Sequence, residues 1–158
     1  MLKIIFLDID EVLNSKQYKR EIGSKFTDPK YQIDPLAVKR LNAIVSATGA
    51  KIVISSTWRL SFIYSADALQ KLQDCFAQYG INDIIDYTPQ ILATDGTPLI
   101  SFRGDEIKEW LKDKQDVNFV VIDDIDMTDD FGNRMILTHE NDGLQDYHVS
   151  KAIGTLSQ

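Results

Sequence analysis

Apolar positions along this chain switch between two rhythms. Leu2-Lys3-Ile4-Ile5-Phe6-Leu7 is a short, nearly unbroken run, as expected of a strand buried on both faces. Lys51-Ile52-Val53-Ile54 and Asn118-Phe119-Val120-Val121-Ile122 repeat it, with further short strands expected at Ile81–Tyr87 and Met135–Thr138. Between these runs, apolar residues recur every three or four positions, the spacing of one helix face. Asp34-Pro35 opens the first such segment, an N-cap followed by Pro at the first helical position. Leu36, Leu41, Ile44 and Val45 follow, and Gly49 is a natural stop. Ser65 is expected to cap the next helix, whose Leu69, Leu72, Phe76 and Tyr79 share a face before Gly80. Gly104–Lys114 turns Ile107, Trp110 and Leu111 inward, and about Gln145–Leu156 presents Val149, Ala152, Ile153 and Leu156. Two segments break the rhythm. Residues 14–33 have no clean period and read as an excursion from the sheet. Asp95-Gly96, between residues 90–93 and 98–102, predicts a small hairpin that Pro98 confines to an edge.

Strands that alternate with helices imply an α/β fold: a doubly wound, Rossmann-like parallel sheet with helices on both faces. The whole chain, residues 1–158, is expected to form one three-layer α/β/α domain with a small flap at about 14–33. Such folds bind ligands beyond the carboxyl ends of their strands.

Those ends carry acids. Asp8 and Asp10 close the first run, and residues i and i+2 of a strand point to one side. The run 118–122 ends in Asp123-Asp124-Ile125-Asp126-Met127-Thr128-Asp129-Asp130, five acids in eight residues. Four carboxylates, Asp8, Asp10, Asp123 and Asp124, are therefore expected to meet at one lip of the sheet. Oxygen-only ligation suits a hard cation such as Mg²⁺, and Mn²⁺ shares that preference. One cysteine, Cys75, and two histidines, His139 and His148, are too few for the usual zinc site.

For a phosphate monoester the tips supply a full set of parts. Asp8 can attack phosphorus, and Asp10 can protonate the leaving oxygen and then deprotonate water. Asp124 can complete a metal site with Asp8 and a backbone carbonyl, that of Asp10. Ser56, with Ser55 and Thr57 as neighbours, follows the second strand and can hold a phosphoryl oxygen. Arg103, just before a helix, can offer the same group a bidentate cation. Arg59 lies within possible reach of a phosphate, Trp58 and Cys75 read as core, and His139 and His148 as surface or capping residues.

Composition narrows the partners. The net charge of −7 over 158 residues opposes general binding to nucleic acid or anionic membrane. The flap runs the other way: Lys16, Lys19, Arg20, Lys25 and Lys30 face only Glu21 and Asp28. Cys75 has no partner for an internal disulfide, and no apolar run is long enough for a signal or a membrane span. A cytoplasmic protein is expected.

Phe6-Leu7-Asp8-Ile9-Asp10-Glu11-Val12-Leu13 resembles the first motif of the haloacid dehalogenase (HAD) superfamily, and Ile52-Val53-Ile54-Ser55-Ser56 its second. Arg103-Gly104-Asp105-Glu106-Ile107 is similar to the third, and Val120-Val121-Ile122-Asp123-Asp124 to the fourth. The four occur in order across residues 4–124. The resemblance implies a Mg²⁺-dependent phosphatase or phosphotransferase that passes through an aspartyl-phosphate, with Asp8 as nucleophile and Asp10 as acid/base. Pumps of the superfamily carry Thr at the place of Asp10, and dehalogenases lack this second Asp, so its presence favours a phosphatase. Residues 54–59, Ile-Ser-Ser-Thr-Trp-Arg, and Gly143-Leu144 further resemble the small HAD domains of bacterial RNA-repair proteins. Two positions depart from the pattern: Glu11 stands where many members have Gly, and Arg103 where many have Lys. The short flap implies a capless or minimally capped member, open to a phosphate on a nucleotide, polynucleotide or protein.

Three rivals fit less well. A receiver-like module needs paired acids after its first strand. A non-catalytic module that binds phosphate or a partner on the same fold would not need the full catalytic set. A nucleotide kinase needs a Gly-rich P-loop, which this chain lacks.

Overall fold

The computed structural model describes residues 1–97 and 103–158. Its strands are β1 Leu2–Leu7, β2 Lys51–Ile54, β3 Ile84–Tyr87, β4 Val117–Asp123 and β5 Met135–Leu137. They form one parallel sheet in the order β3-β2-β1-β4-β5. The helices are α1 Lys16–Ile22, α2 Pro35–Thr48, α3 Ala68–Ala77, α4 Arg103–Leu111, α5 Thr128–Phe131 and α6 Asp146–Leu156. Because strand side chains alternate, β1, β2, β4 and β5 each feed two cores. Ile5, Leu7, Ile52, Ile54, Val120, Ile122 and Ile136 pack with residues of α2, α3 and α6. Ile4, Phe6, Val53, Val121 and Met135 face the other way, onto Ile107 and Trp110 of α4 and Phe131 of α5. Phe6 meets the Trp110 and Phe119 rings edge-on at 5.2 and 5.7 Å. The sheet with helices on both faces makes a three-layer α/β/α, Rossmann-like architecture.

Register sets the site. Leu7 lies opposite Ile54 on one side and Ile122 on the other, so β1, β2 and β4 end level. Asp8 N still reaches Ile122 O at 3.0 Å, and Ser55 N reaches Leu7 O at 3.0 Å. The next residues, Asp8, Ser55 and Asp123, therefore lie side by side, Asp8 and Ser55 just past their strands and Asp123 as the last residue of β4.

Most helix signals hold. Asp34 caps α2 by accepting from Leu36 N at 2.9 Å, and Gly49 ends it at φ 70°. Ser65 does not cap the next helix. That helix begins at Ala68, after Asp67, and the Ser65 hydroxyl is turned onto the Asp67 carboxylate instead. The excursion contains α1 and two 3₁₀ turns, Gly23–Thr27 and Pro29–Tyr31, with no buried residue in any of them. Without a buried face, no hydrophobic period can show in the sequence. At the expected hairpin a tight turn closes with Ala93 N on Thr97 O at 2.8 Å; Pro98 and the second arm lie outside the described residues. Among the described residues, no helix is long and apolar enough to cross a membrane.

Candidate active site

Each acid of the site is placed by a core residue beside it. Ile9, fully buried, points into the larger core, and the alternation aims Asp8 and Asp10 away from it. Ile122 does the same for Asp123 at the end of β4. Carboxylate oxygens of Asp8, Asp123 and Asp124 all lie within 4.8 Å of one another. Asp8 and Asp123 are buried and Asp124 half-buried.

Three crowded carboxylates repel, and a cation answers them. Arg103, the first residue of α4, sets Nη1 2.8 Å from Asp8 Oδ2 and 2.7 Å from Asp123 Oδ2. Burial would lower the Arg103 pKa, but Asp123 and Asp8 outweigh it and hold the guanidinium firmly charged. Burial, then the Asp8 charge, pushes the Asp123 carboxyl up to about 7, against the pull of Arg103. Burial and Asp8 also raise Asp124. In both, burial leads and the Asp8 charge adds to it, against the opposing pull of Arg103.

Asp10 departs from expectation. Its carboxylate is not among the three that converge. Oδ1 accepts from Asn14 Nδ2 and Oδ2 from Trp58 Nε1, each at 3.0 Å. These two N–H donors draw it away from three like charges, so the expected cluster of four carboxylates is a cluster of three.

The loop after β2 holds the other candidates. Ser56 is fully buried and caps the 3₁₀ turn Thr57–Ser61, its Oγ accepting from Trp58 N at 3.3 Å. Its hydroxyl hydrogen remains available to donate. Thr57 is exposed at the start of that turn, and Ser55 Oγ is buried without a hydrogen-bond partner among the described residues. Arg59 is not open to substrate. It is 2 % exposed, pairs with Glu106 Oε2 at 2.7 Å, and donates to the carbonyls of Thr88 at 2.8 Å and Ser56 at 2.9 Å. It ties the β2 loop to β3 and α4. A cavity of about 360 Å³ opens beside this loop, lined by Gln32, Thr57, Trp58, Ser61, Phe62 and Cys75.

Glu11 sits at φ 63°, in the left-handed region where glycine is at ease. Its carboxylate is turned onto Lys19 of α1 at 2.8 Å, so its charge is paired. His139 is exposed and accepts from Asn141 N through Nδ1. His148 is buried and closes the N-terminus of α6, Nδ1 accepting from Gln145 N at 2.9 Å and Nε2 lying 2.9 Å from Leu137 O. Sequence reasoning missed Asn14 and Trp58 as contacts of Asp10. The available signal was position: Asn14 lies four residues after Asp10, and Trp58 lies two after Ser56.

A model of the HAD domain found in Swiss Army Knife RNA repair proteins matches residues 4–149. That span takes in all four expected motifs and Gly143-Leu144. Searches of curated proteins and of solved structures found no match.

Proposed function

The chain belongs to the family of HAD domains in Swiss Army Knife RNA repair proteins, and on that footing we propose that it is a Mg²⁺-dependent phosphomonoester hydrolase acting on an accessible phosphate at a polynucleotide end. The observation that carries the reading is the convergence of Asp8, Asp123 and Asp124 under Arg103 at the level ends of β1 and β4. The family description favours RNA as the polynucleotide.

The donor set fits a hard divalent cation: carboxylate oxygens only, all within 4.8 Å of one another, with burial and then the Asp8 charge raising Asp123 and Asp124. Asp123 is largely engaged, Oδ1 by Ile125 N at 2.9 Å and Oδ2 by Arg103. Asp8, Asp124 and the Asp10 carbonyl would therefore hold Mg²⁺, with Asp123 beside them. The bound ion would offset the charge of the transferring phosphoryl group.

Asp8 is the nucleophile. Arg103 holds Oδ2 and leaves Oδ1 to attack phosphorus. Ser56 Oγ–H and the exposed Thr57 steady the phosphoryl oxygens, and Arg103 supplies the nearby positive charge. Asp10 gives a proton to the leaving oxygen and afterwards takes one from the water that cleaves the aspartyl-phosphate.

Hydrolysis of p-nitrophenyl phosphate tests this reading. Wild type should turn it over with Mg²⁺ and stop with EDTA, and folded Asp8→Asn should lose at least about 10³-fold in kcat. Oligonucleotides with 3′- or 5′-terminal phosphate then test the substrate class. Equal activity of Asp8→Asn and wild type would overturn the reading. Mg²⁺ binding without turnover of any of these esters would favour a phosphate-binding module on the same fold.

A further inference from the structure

Asp10 stands apart from the carboxylate cluster and is held at both ends. Neither donor is there by accident of packing. Asn14 is fully buried between apolar Leu13 and buried Ser15, where an amide is costly unless satisfied. Its Oδ1 accepts from Glu11 N at 2.9 Å, and its Nδ2 also donates to Gln32 O at 3.1 Å. Those bonds fix which end of the amide faces Asp10. Trp58 packs its ring on Phe76 at 5.7 Å. Phenylalanine would fill that contact as well; what the indole adds is the N–H on Asp10. The two donors arrive from different elements, the turn after β1 and the turn after β2, so together they lock the carboxyl against rotation.

Resting on the reading of Asp10 as the acid/base, we propose that Asn14 and Trp58 are positioning residues that aim Asp10 at the leaving oxygen, which fits the site to unactivated alkyl esters such as those of sugar hydroxyls. Each carboxyl oxygen has two lone-pair positions. One N–H occupies one position on each oxygen, and the remaining positions carry the proton in transit. In the first half, an Asp8 oxygen bonds to phosphorus and the ester P–O bond breaks. Its electron pair stays on the leaving oxygen, which takes the Asp10 proton. In the second half, water attacks phosphorus and gives a proton to Asp10, and the Asp8–phosphorus bond pair returns to the carboxylate. An alkoxide cannot leave without that proton, whereas p-nitrophenolate can. In the first half, aim therefore matters for one ester and hardly for the other.

The test compares Mg²⁺-loaded wild type with Trp58→Phe on p-nitrophenyl phosphate and on an oligonucleotide 3′-phosphate. The variant should lose about 10²-fold in kcat/KM on the alkyl ester, the scale of a misplaced catalytic group; kcat/KM reports the first half alone, since the second half is common to both esters. On p-nitrophenyl phosphate it should lose less than about threefold. Asn14→Ser should show the same split, and serves if Trp58→Phe does not fold. Phe76→Leu, which loosens the same packing but spares the N–H, should keep the wild-type ratio of the two rates. Equal losses on both esters, or none on either, would overturn the positioning role while leaving the hydrolase reading intact. Wild type inactive on both esters would instead overturn the hydrolase reading, and this inference with it.

Discussion

At the scale of single residues, the site is a problem of charge. Asp8, Asp123 and Asp124 meet with one guanidinium among them, and burial raises the latter two acids. A divalent cation would relieve what Arg103 does not. Mg²⁺ should therefore raise the melting temperature of the wild type, by an amount equivalent to about 2.7 kcal/mol at a hundred times its Kd. Asp124→Asn should remove most of that gain, as followed by thermal denaturation with and without Mg²⁺. The Asp-x-Asp and Asp-Asp pairs were legible because strand ends and alternation dictate where acids must point. The position of the Asp10 carboxylate was not, because it depends on Asn14 and Trp58, one held by a buried amide network and the other arriving from a different loop. Glu11 shows the same limit: its φ of 63° lies where glycine is at ease, and its pairing with Lys19 depends on a helix the sequence did not announce.

At the scale of elements, the site is held by ties between loops. Arg59 and Glu106 join the β2 loop to α4, both nearly without exposure. Burial lowers the Arg59 pKa and raises that of Glu106, each opposed by the other's charge. Arg59→Met should destabilise the fold by about 3–5 kcal/mol, because it strands Glu106 in the interior. Adding Glu106→Leu should recover much of that loss in urea denaturation, since the fold then buries no unpaired charge. His148 ties α6 to β5, and burial lowers its pKa below the ordinary value, against the pull of the Leu137 carbonyl. The unfolded chain therefore binds a proton in a pH range where the folded chain does not. The stability that neutral His148 contributes is complete above the unfolded pKa, about 6.5, and is lost as pH falls below it. His148→Asn should be less stable at pH 7.5 yet show a shallower decline between pH 7 and 5. Elements with a buried face, such as α2, were legible from their period and caps. The flap was not, since α1 and its 3₁₀ turns bury nothing, and α3 starts late because Asp67 takes the Ser65 hydroxyl.

At the scale of the whole molecule, the strand order β3-β2-β1-β4-β5 brings β1 between β2 and β4 and so gathers motifs far apart in sequence. Alternating strands and helices made that architecture readable. Charge was less readable from counts alone. The flap's local excess of positive charge is partly answered in three dimensions from outside the flap: Lys16 pairs with Glu140 and Lys19 with Glu11. On the proposed reading, recognition of a polynucleotide end would then rest on the site itself more than on a basic surface. The central claim is that Asp8 carries the phosphoryl group. The most direct measurement is to quench Mg²⁺-loaded enzyme during turnover, reduce the acyl-phosphate with borohydride, and locate the reduced residue by peptide mass spectrometry. The account predicts homoserine in the peptide that contains Asp8, and none with EDTA or in Asp8→Asn. Reduction at another acid, or active turnover with Asp8 never modified, would contradict it.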